Sequence, residues 1–270
     1  MKENKKAINI VYNENCLETM RNWEDNYVDY IITSPPYNIG SATYKTKGKK
    51  GSKKYETYKD DKSIGDYLNW QNNLINEMLR VTKNHIFYNI QLVSGNKRAV
   101  LALIGSFQNK IKDIYIWNKN IATPNIQKGI PRSKYEFIII FSKKSPDLRN
   151  FEDAKFDNYF STVLDIDVEK NKYSDKHSAI FPEALPRTIM RNFGEDGDIW
   201  YDPFGGTGTT AVAAIKENKS FILSEIDKGY IDIINKRIEE TIKIESQLIF
   251  NKKEINQGKI LTLDLFQNEK

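Results

Sequence analysis

Ile199-Trp200-Tyr201-Asp202-Pro203-Phe204-Gly205-Gly206-Thr207-Gly208-Thr209-Thr210 sets the class of this chain. Three strand-type apolar residues run into an aspartate, a proline and a cluster of glycines, where a strand gives way to a helix. Glycine there lets the backbone approach a ligand closely, and the first turn of a helix offers unpaired N–H groups to a carboxylate or phosphate. The stretch is not a phosphate loop of the nucleotide-hydrolase kind, which needs Lys then Ser or Thr after its last glycine, because Gly208 is followed by Thr209. One strand later, Phe221-Ile222-Leu223-Ser224-Glu225 ends in a carboxylate, about twenty residues past the glycines, where an acid can accept from both hydroxyls of a ribose. A tight turn without a ligand is the plainer alternative, and the placement of Glu225 favours the binding turn.

Working outward, short β-rich apolar runs alternate with helical patterns, the signature of an α/β fold with a mostly parallel twisted sheet covered by helices on both faces. Strands are expected at 7–12, 28–33, 85–90, 111–117, 135–141, 199–201 and 221–225. A helix over 67–82 carries Leu68, Ile75, Met78 and Leu79 on one face, and Ile231, Ile234, Ile238 and Ile242 form a second stripe in the last long helix. With 270 residues and 39% hydrophobic side chains, the chain reads as a single domain over 1–270. A formal charge of +5 and a pI near 8.9 suit a polyanionic partner without demanding one. Cys16 is the single cysteine, which excludes an internal disulfide. With only His85 and His177 beside it, no metal site is expected. No apolar run suits a signal peptide or a membrane span, so the expected location is the cytoplasm, away from membranes.

Two stretches interrupt the alternation. Residues 41–66 are polar, with lysines at 45, 47, 49, 50, 53 and 54, and read as a basic loop. Residues from about 142 to 176 hold Phe151, Phe156, Tyr159 and Phe160 among mixed charges and read as a small ordered insertion. Ahead of the first interruption lies a second motif, Thr33-Ser34-Pro35-Pro36-Tyr37-Asn38, directly after the strand Val28-Asp29-Tyr30-Ile31-Ile32. Two prolines fix φ and remove two donors, so the loop presents carbonyl acceptors and the Ser34 hydroxyl at a strand end. Such a rim can receive an NH₂ group, and the Tyr37 ring offers a base a face to stack on. A proline-rich turn with a buried tyrosine is the plainer alternative.

Together the motifs resemble those of the amino-methylating DNA methyltransferases, the family that modifies N4 of cytosine or N6 of adenine. Its catalytic signature, Asp/Asn/Ser-Pro-Pro-aromatic, is matched by Ser34-Pro35-Pro36-Tyr37. Its cofactor signature, Phe-x-Gly-x-Gly-Thr, is met in full by Phe204 to Thr209, and Lys176 to Leu185 is similar to the His-containing segment that precedes it. The catalytic motif comes first, the permuted order of the family's β group, in which target recognition lies between the two motifs, where 142–176 falls. The resemblance implies a Rossmann-like class I methyltransferase fold and S-adenosyl-L-methionine as cofactor. It places Asp202, Pro203, Phe204, Gly205, Gly206, Thr207, Gly208, Thr209, Thr210 and Glu225 around that cofactor. In the family, Asp202 lies near the methionine end, the N–H groups of Thr209 and Thr210 meet its carboxylate, and Phe181 lines the pocket. Where the family usually has Gly-Asp, this chain has Asn13-Glu14-Asn15-Cys16, leaving Asn15 to accept from the adenine amino group. His177 is expected to be a packing residue.

The implied reaction is in-line methyl transfer to an exocyclic amine, with no covalent enzyme intermediate. Ser34 and the Pro35 carbonyl would hold the NH₂ hydrogens, and Tyr37 would stack on a base flipped out of the duplex. C5-cytosine chemistry is disfavoured, since it needs a thiolate in a Pro-Cys setting and Cys16 follows Asn15. Ser34 leans toward N4 of cytosine, with N6 of adenine as the alternative. An RNA or protein N-methyltransferase and a non-catalytic nucleic-acid-binding module are more distant alternatives. Double-stranded DNA is the expected partner, with Lys45, Lys47, Lys49, Lys50, Lys53 and Lys54 on its phosphates and sequence reading by the insertion and by residues 118–132. A cognate restriction endonuclease and a second copy of the chain are further candidate partners.

Overall fold

A computed structural model describes residues 6–39, 60–120, 133–144, 147, 150–156, 160–170 and 179–256. The six lysines of the basic loop, His177 and residues 121–132 lie outside the described residues. Ten strands and six helices occur among the described residues. They run in the order β1 (Ile10–Tyr12), α1 (Cys16–Arg21), β2 (Tyr30–Thr33), α2 (Ile64–Val81), β3 (His85–Ile90), α3 (Lys97–Ser106), β4 (Ile111–Asn118) and β5 (Tyr135–Ser142). There follow β6 (Val163–Asp165), β7 (Glu169–Lys170), β8 (Ala179–Ile180), α4 (Ala184–Asn192), β9 (Ile199–Asp202), α5 (Thr209–Lys216), β10 (Ser220–Ser224) and α6 (Lys228–Asn256).

Eight strands form one sheet in the order β1-β10-β9-β2-β3-β5-β4-β6, and β7 pairs with β8 in a separate ribbon. Within the large sheet β5 alone runs against its neighbours β3 and β4, while the other described pairs are parallel. A sheet buried on both faces needs strands that are apolar throughout. Accordingly β2, β3, β9 and β10 are buried at every position. The core is split by the sheet into two layers. Leu74, Ile75, Met78 and Val81 of α2 pack with Ile31, Ile86 and Tyr201 on one side. Ile189 of α4, Ala211 and Ala214 of α5, and Ile234 of α6 pack with Ile32, Phe87 and Leu223 on the other. Each buried Leu, Ile, Val, Met or Phe among them contributes about 1.5–3 kcal/mol.

The topology places a crevice. From β9 the chain passes through α5 to β10 on one side, whereas from β2 it passes through α2 to β3 on the other. Adjacent parallel strands whose connections diverge leave a gap at their carboxyl ends, which is where open α/β sheets take their ligands. β2 and β9 are such a pair, in register Tyr30↔Trp200 and Ile31↔Tyr201.

Several expected boundaries move for local reasons. β1 starts at Ile10, not Ala7, because Asn9 takes a positive φ of 56° and spends its side-chain oxygen on the N–H of Phe221. The basic loop stops short of 66: Ser63 caps α2 by accepting from Asp66 N–H and donates its own hydroxyl to the Asp66 carboxylate, so the helix begins at Ile64. The α6 stripe is only partly core. Ile234 is fully buried, but Ile242 is half exposed.

Candidate active site

The two motifs meet at one joint. Thr33, the last residue of β2, donates its hydroxyl to Oδ1 of Asp202, the last residue of β9, at 2.8 Å. The same carboxylate accepts from the Thr210 hydroxyl at 2.6 Å and the Phe204 N–H at 3.0 Å. Asp202 therefore ties the Pro-Pro loop, the glycine turn and the start of α5 into one rigid unit. Burial raises its pKa, and the three donors only partly offset that effect.

Beyond β9 the chain wraps a tight cradle. Gly208 caps α5 at a φ of +82°, and a Cβ there would stand 3.2 Å from Ile234, so both conformation and space call for glycine. Gly206 adopts a φ of +51° and donates its N–H to Glu225 Oε2 at 2.8 Å. The other oxygen of Glu225 accepts from Asp227 N–H at 2.8 Å. Burial, only partly opposed by these two N–H groups, pushes the Glu225 pKa up to about 7. Each carboxylate oxygen keeps a lone pair for a further donor, as a vicinal diol requires. From below, buried Arg237 of α6 donates to the carbonyl of Thr207 at 2.7 Å and to the hydroxyls of Thr207 and Thr209. A guanidinium beside the N-terminus of α5 adds positive potential where the sequence motif calls for an anion.

On the other side of the joint, the Ser34 loop is braced rather than free. Tyr67 of α2 donates its hydroxyl to the Pro36 carbonyl at 2.7 Å, so that carbonyl is already partnered. Asn38, at a φ of 55°, accepts from Lys62 N–H and donates to the carbonyls of Lys62 and Gly95. A Cβ at Gly95 would lie 1.9 Å from the Asn38 carbonyl oxygen, so no other residue fits beneath the loop. Tyr37 is half-buried, and its hydroxyl sits in a polar cluster. It donates to Glu136 Oε2 at 2.7 Å, stands 2.8 Å from Ser34 Oγ and accepts from Asn89 Nδ2 at 2.9 Å. Burial and the neighbouring Glu136 carboxylate raise the Tyr37 pKa well above its ordinary value. Asn89 also donates to Glu136 Oε2 at 2.6 Å, and Lys119 stands 2.5 Å from Glu136 Oε1.

Thr33 to Tyr37, Asp202 to Thr210 and Glu225 thus converge at the same end of neighbouring strands. Two further expected residues are engaged in contacts of their own. Asn15 spends its side-chain oxygen on capping α1, accepting from Leu17 N–H at 3.0 Å. Phe181 has its ring against Trp117 of β4, the residue paired with Glu136 of β5. Cys16 is buried, with its thiol pushed up to about 12 chiefly by that burial, as suits a small core residue rather than a nucleophile.

Glu136, Asn89, Lys119 and Arg237 were not marked by the motifs. For Glu136 a signal was present: it is the one charge in Tyr135-Glu136-Phe137-Ile138-Ile139-Ile140-Phe141, an otherwise apolar strand, at a position in phase with inward-facing Ile138 and Ile140. Arg237 gave none, since a cation in a surface-type helix normally faces water.

Comparison with known proteins gives the family and the fold. A family model described as DNA methylase, covering N6- and N4-directed enzymes, matches residues 28–236. The type II methyltransferase M.HpaI of Haemophilus parainfluenzae is 26% identical over 245 residues, which span 83% of this chain and 72% of the relative. Among solved structures, the cytosine-N4-specific PvuII DNA methyltransferase superposes with a TM-score of 0.63 at 16% identity, covering 88% of this chain and 91% of the other. An M1.HpyAVI–SAM complex superposes with a TM-score of 0.57 at 22% identity, covering 85% and 98%.

Proposed function

This chain belongs to the DNA methylase family of cytosine-N4 and adenine-N6 methyltransferases, and from that premise we propose that it methylates N4 of a cytosine flipped out of duplex DNA. It is an S-adenosylmethionine-dependent DNA amino-methyltransferase of class I fold. The observation that supports transfer to an amine is the Thr33–Asp202 bond, which joins the Ser34-Pro35-Pro36-Tyr37 loop, read as the amine-receiving rim, to the glycine turn, read as the cofactor cradle. Pockets on opposite faces of the sheet could not share a reaction.

The cradle fits the cofactor's chemistry. Two Glu225 oxygens with lone pairs to spare suit the ribose hydroxyls. The turn from Pro203 to Gly208, the N–H groups of Thr209 and Thr210, and the positive potential of Arg237 suit an amino-acid carboxylate. S-adenosylmethionine supplies a methyl group already activated on a sulfonium. Asp202 sets the spacing between cradle and rim, because its oxygens are held by both. Ser34 receives the amino hydrogens, which favours electron density on a nitrogen whose lone pair is otherwise delocalised into the ring. Tyr37 offers its ring to the base, and the closed geometry makes the encounter a local one.

The serine at the head of the Pro-Pro loop favours cytosine. Sequence reading of DNA falls, in this proposal, on the site-side part of the insertion. Residues 150–156 lie by the opposite end of the sheet, where Asp153 meets Tyr30 and His85, whereas the chain from β6 onward runs parallel to β4 and returns to the site end. The lysines of the 41–66 loop are proposed to hold phosphates, and neutralising all six should flatten the salt dependence of DNA binding.

Expression in a methylation-free host, followed by mass spectrometry of the digested genomic DNA, tests the reading. N4-methylcytosine is expected. N6-methyladenine would overturn the choice of base, and unmodified DNA would overturn the activity. Tyr37→Ala is expected to lower both base binding and turnover; full retention of both would remove the stacking role.

A further inference from the structure

A count of hydrogens in the cluster around Tyr37 leads to a role for Glu136. The Tyr37 phenol has one hydrogen. Its oxygen stands 2.7 Å from Glu136 Oε2, 2.8 Å from Ser34 Oγ and 2.9 Å from Asn89 Nδ2. A carboxylate oxygen can only accept, and an amide NH₂ can only donate. The phenol hydrogen therefore goes to Glu136, the stronger acceptor because it is charged. Asn89 fills one lone pair of the phenol oxygen, and the other is left for the hydrogen of Ser34. That hydrogen then points inward and the lone pairs of Ser34 point away from Tyr37, one within 3.4 Å of Asn89 Nδ2 and the other left for a further donor.

The direction matters for chemistry. An exocyclic amine conjugated to a base ring donates through its two N–H groups and is a poor acceptor. A serine free to rotate would spend part of its time presenting its hydrogen to the nitrogen that must be methylated. We propose that Glu136 is a positioning residue that acts through Tyr37 to lock the Ser34 hydroxyl as an acceptor toward the base amino group. This rests on the reading of Ser34 as the group that receives the amine. Lys119, 2.5 Å from Glu136 Oε1 and with its ammonium 5.3 Å from the centre of the Trp117 ring, holds the carboxylate in place from the far side. The placement follows from the sheet. β5 runs against β3, so its first residues reach the carboxyl end of β3, and Glu136 arrives beside Asn89.

Glu136→Gln tests the idea because it removes the acceptor that fixes the phenol hydrogen. Lys119 keeps the amide oxygen, and the amide nitrogen then faces both the Tyr37 hydroxyl and Asn89 Nδ2, which had donated to Oε2; an NH₂ group accepts from neither, so the phenol hydrogen loses its fixed acceptor and the Ser34 hydrogen its fixed direction. The assay is methyl transfer from tritiated S-adenosylmethionine to genomic DNA from a methylation-free host, using the full chain. We expect kcat to fall by about 10- to 100-fold, with KM for cofactor and DNA within about threefold of the original. In a Tyr37→Phe background, where the relay is already cut, the same substitution should cost less than about threefold. An unchanged kcat, an equal loss in both backgrounds, or a loss confined to KM would each overturn the proposal. Tyr37→Phe keeps the ring and frees the serine rotor, so it is expected to lower kcat by about threefold to tenfold by itself. Unaltered turnover in that variant defeats the relay even where Glu136→Gln fails to fold. Ser34→Ala separates the two layers. Should it retain full turnover, the acceptor reading of Ser34 is what fails; should it be slow while Glu136→Gln is not, only the role of Glu136 falls.

Discussion

The two ends of the sheet carry similar chemistry and put it to different uses. At the carboxyl end of β3, Glu136 gathers Tyr37, Asn89 and Lys119. At the amino end of β3, Asp153 accepts from the Tyr30 hydroxyl at 2.6 Å and stands 2.9 Å from His85 Nε2. A carboxylate, a tyrosine and a nitrogen-bearing side chain meet in both places. The second cluster, taken by residue type alone, looks the more catalytic. Its surroundings decide otherwise: His85 is fully buried, ringed by Phe87, Phe151 and Phe193, and no substrate reaches it. The Asp153 cluster clamps residues 150–156 onto the sheet. The Glu136 cluster ends in Ser34, which is partly exposed at the mouth of the crevice. Access to an uncommitted lone pair, rather than the list of groups, separates a reactive cluster from a structural one.

Substitutions at the two ends should therefore separate turnover from stability. The largest effect is expected from Ser34→Ala, which should slow methyl transfer on the order of 100-fold while leaving unfolding free energy within about 1 kcal/mol; steady-state kinetics and a urea titration would check both. Asp153→Ala should do the converse. It strands Tyr30 and His85 without their acceptor and is expected to cost about 2–4 kcal/mol of stability, with turnover per folded molecule unchanged.

The same clamp carries a pH signature. Burial raises the Asp153 pKa, but the bond and charge of His85 and the Tyr30 hydroxyl outweigh it and hold the group at about 2, below its ordinary 3.8. A depressed folded-state pKa stabilises above the unfolded value and is lost on acidification. Stability should thus fall as pH drops from 3.8 toward about 2, and Asp153→Asn should remove that part of the acid transition in a pH-dependent melt.

Glu225 behaves in the opposite sense. With a pKa raised from 4.5 to about 7, its contribution to the stability of the free protein is fully present below 4.5 and is lost as pH rises through about 7. Ribose hydroxyls donate best to the ionised form, so cofactor affinity is expected to rise up to about tenfold between roughly pH 6 and 8. Calorimetry on Glu225→Gln should give weaker binding and a flat profile; a slope that persists would assign the titration to another group. The smallest change is expected at Cys16, whose thiol is pushed up to about 12 by burial. Cys16→Ala should keep turnover within about twofold, since the side chain is a small core hydrophobe.

Much of the fold was legible because its signals are local. All of the central strands follow from apolar runs, and His85–Ile90 is found over its expected span. The glycine turn, Glu225 and the Ser34-Pro35-Pro36-Tyr37 loop were visible because backbone conformation and ligand approach demand particular residues at fixed spacing. Shorter elements were missed: α3 and the β6–β8 strands carry too few periodic positions to stand out. The identity of the loops as partners is different in kind. Thr33 and Asp202 are 169 positions apart, and only the pairing of β2 with β9 brings them within a hydrogen bond. Likewise Glu136, Asn89 and Arg237 took on their roles when β5, β3 and α6 came together. Residue type and spacing determined which pieces of chemistry this chain holds. Strand order and register decided which of them face one another, because a hydrogen bond acts over about 3 Å and knows nothing of sequence distance.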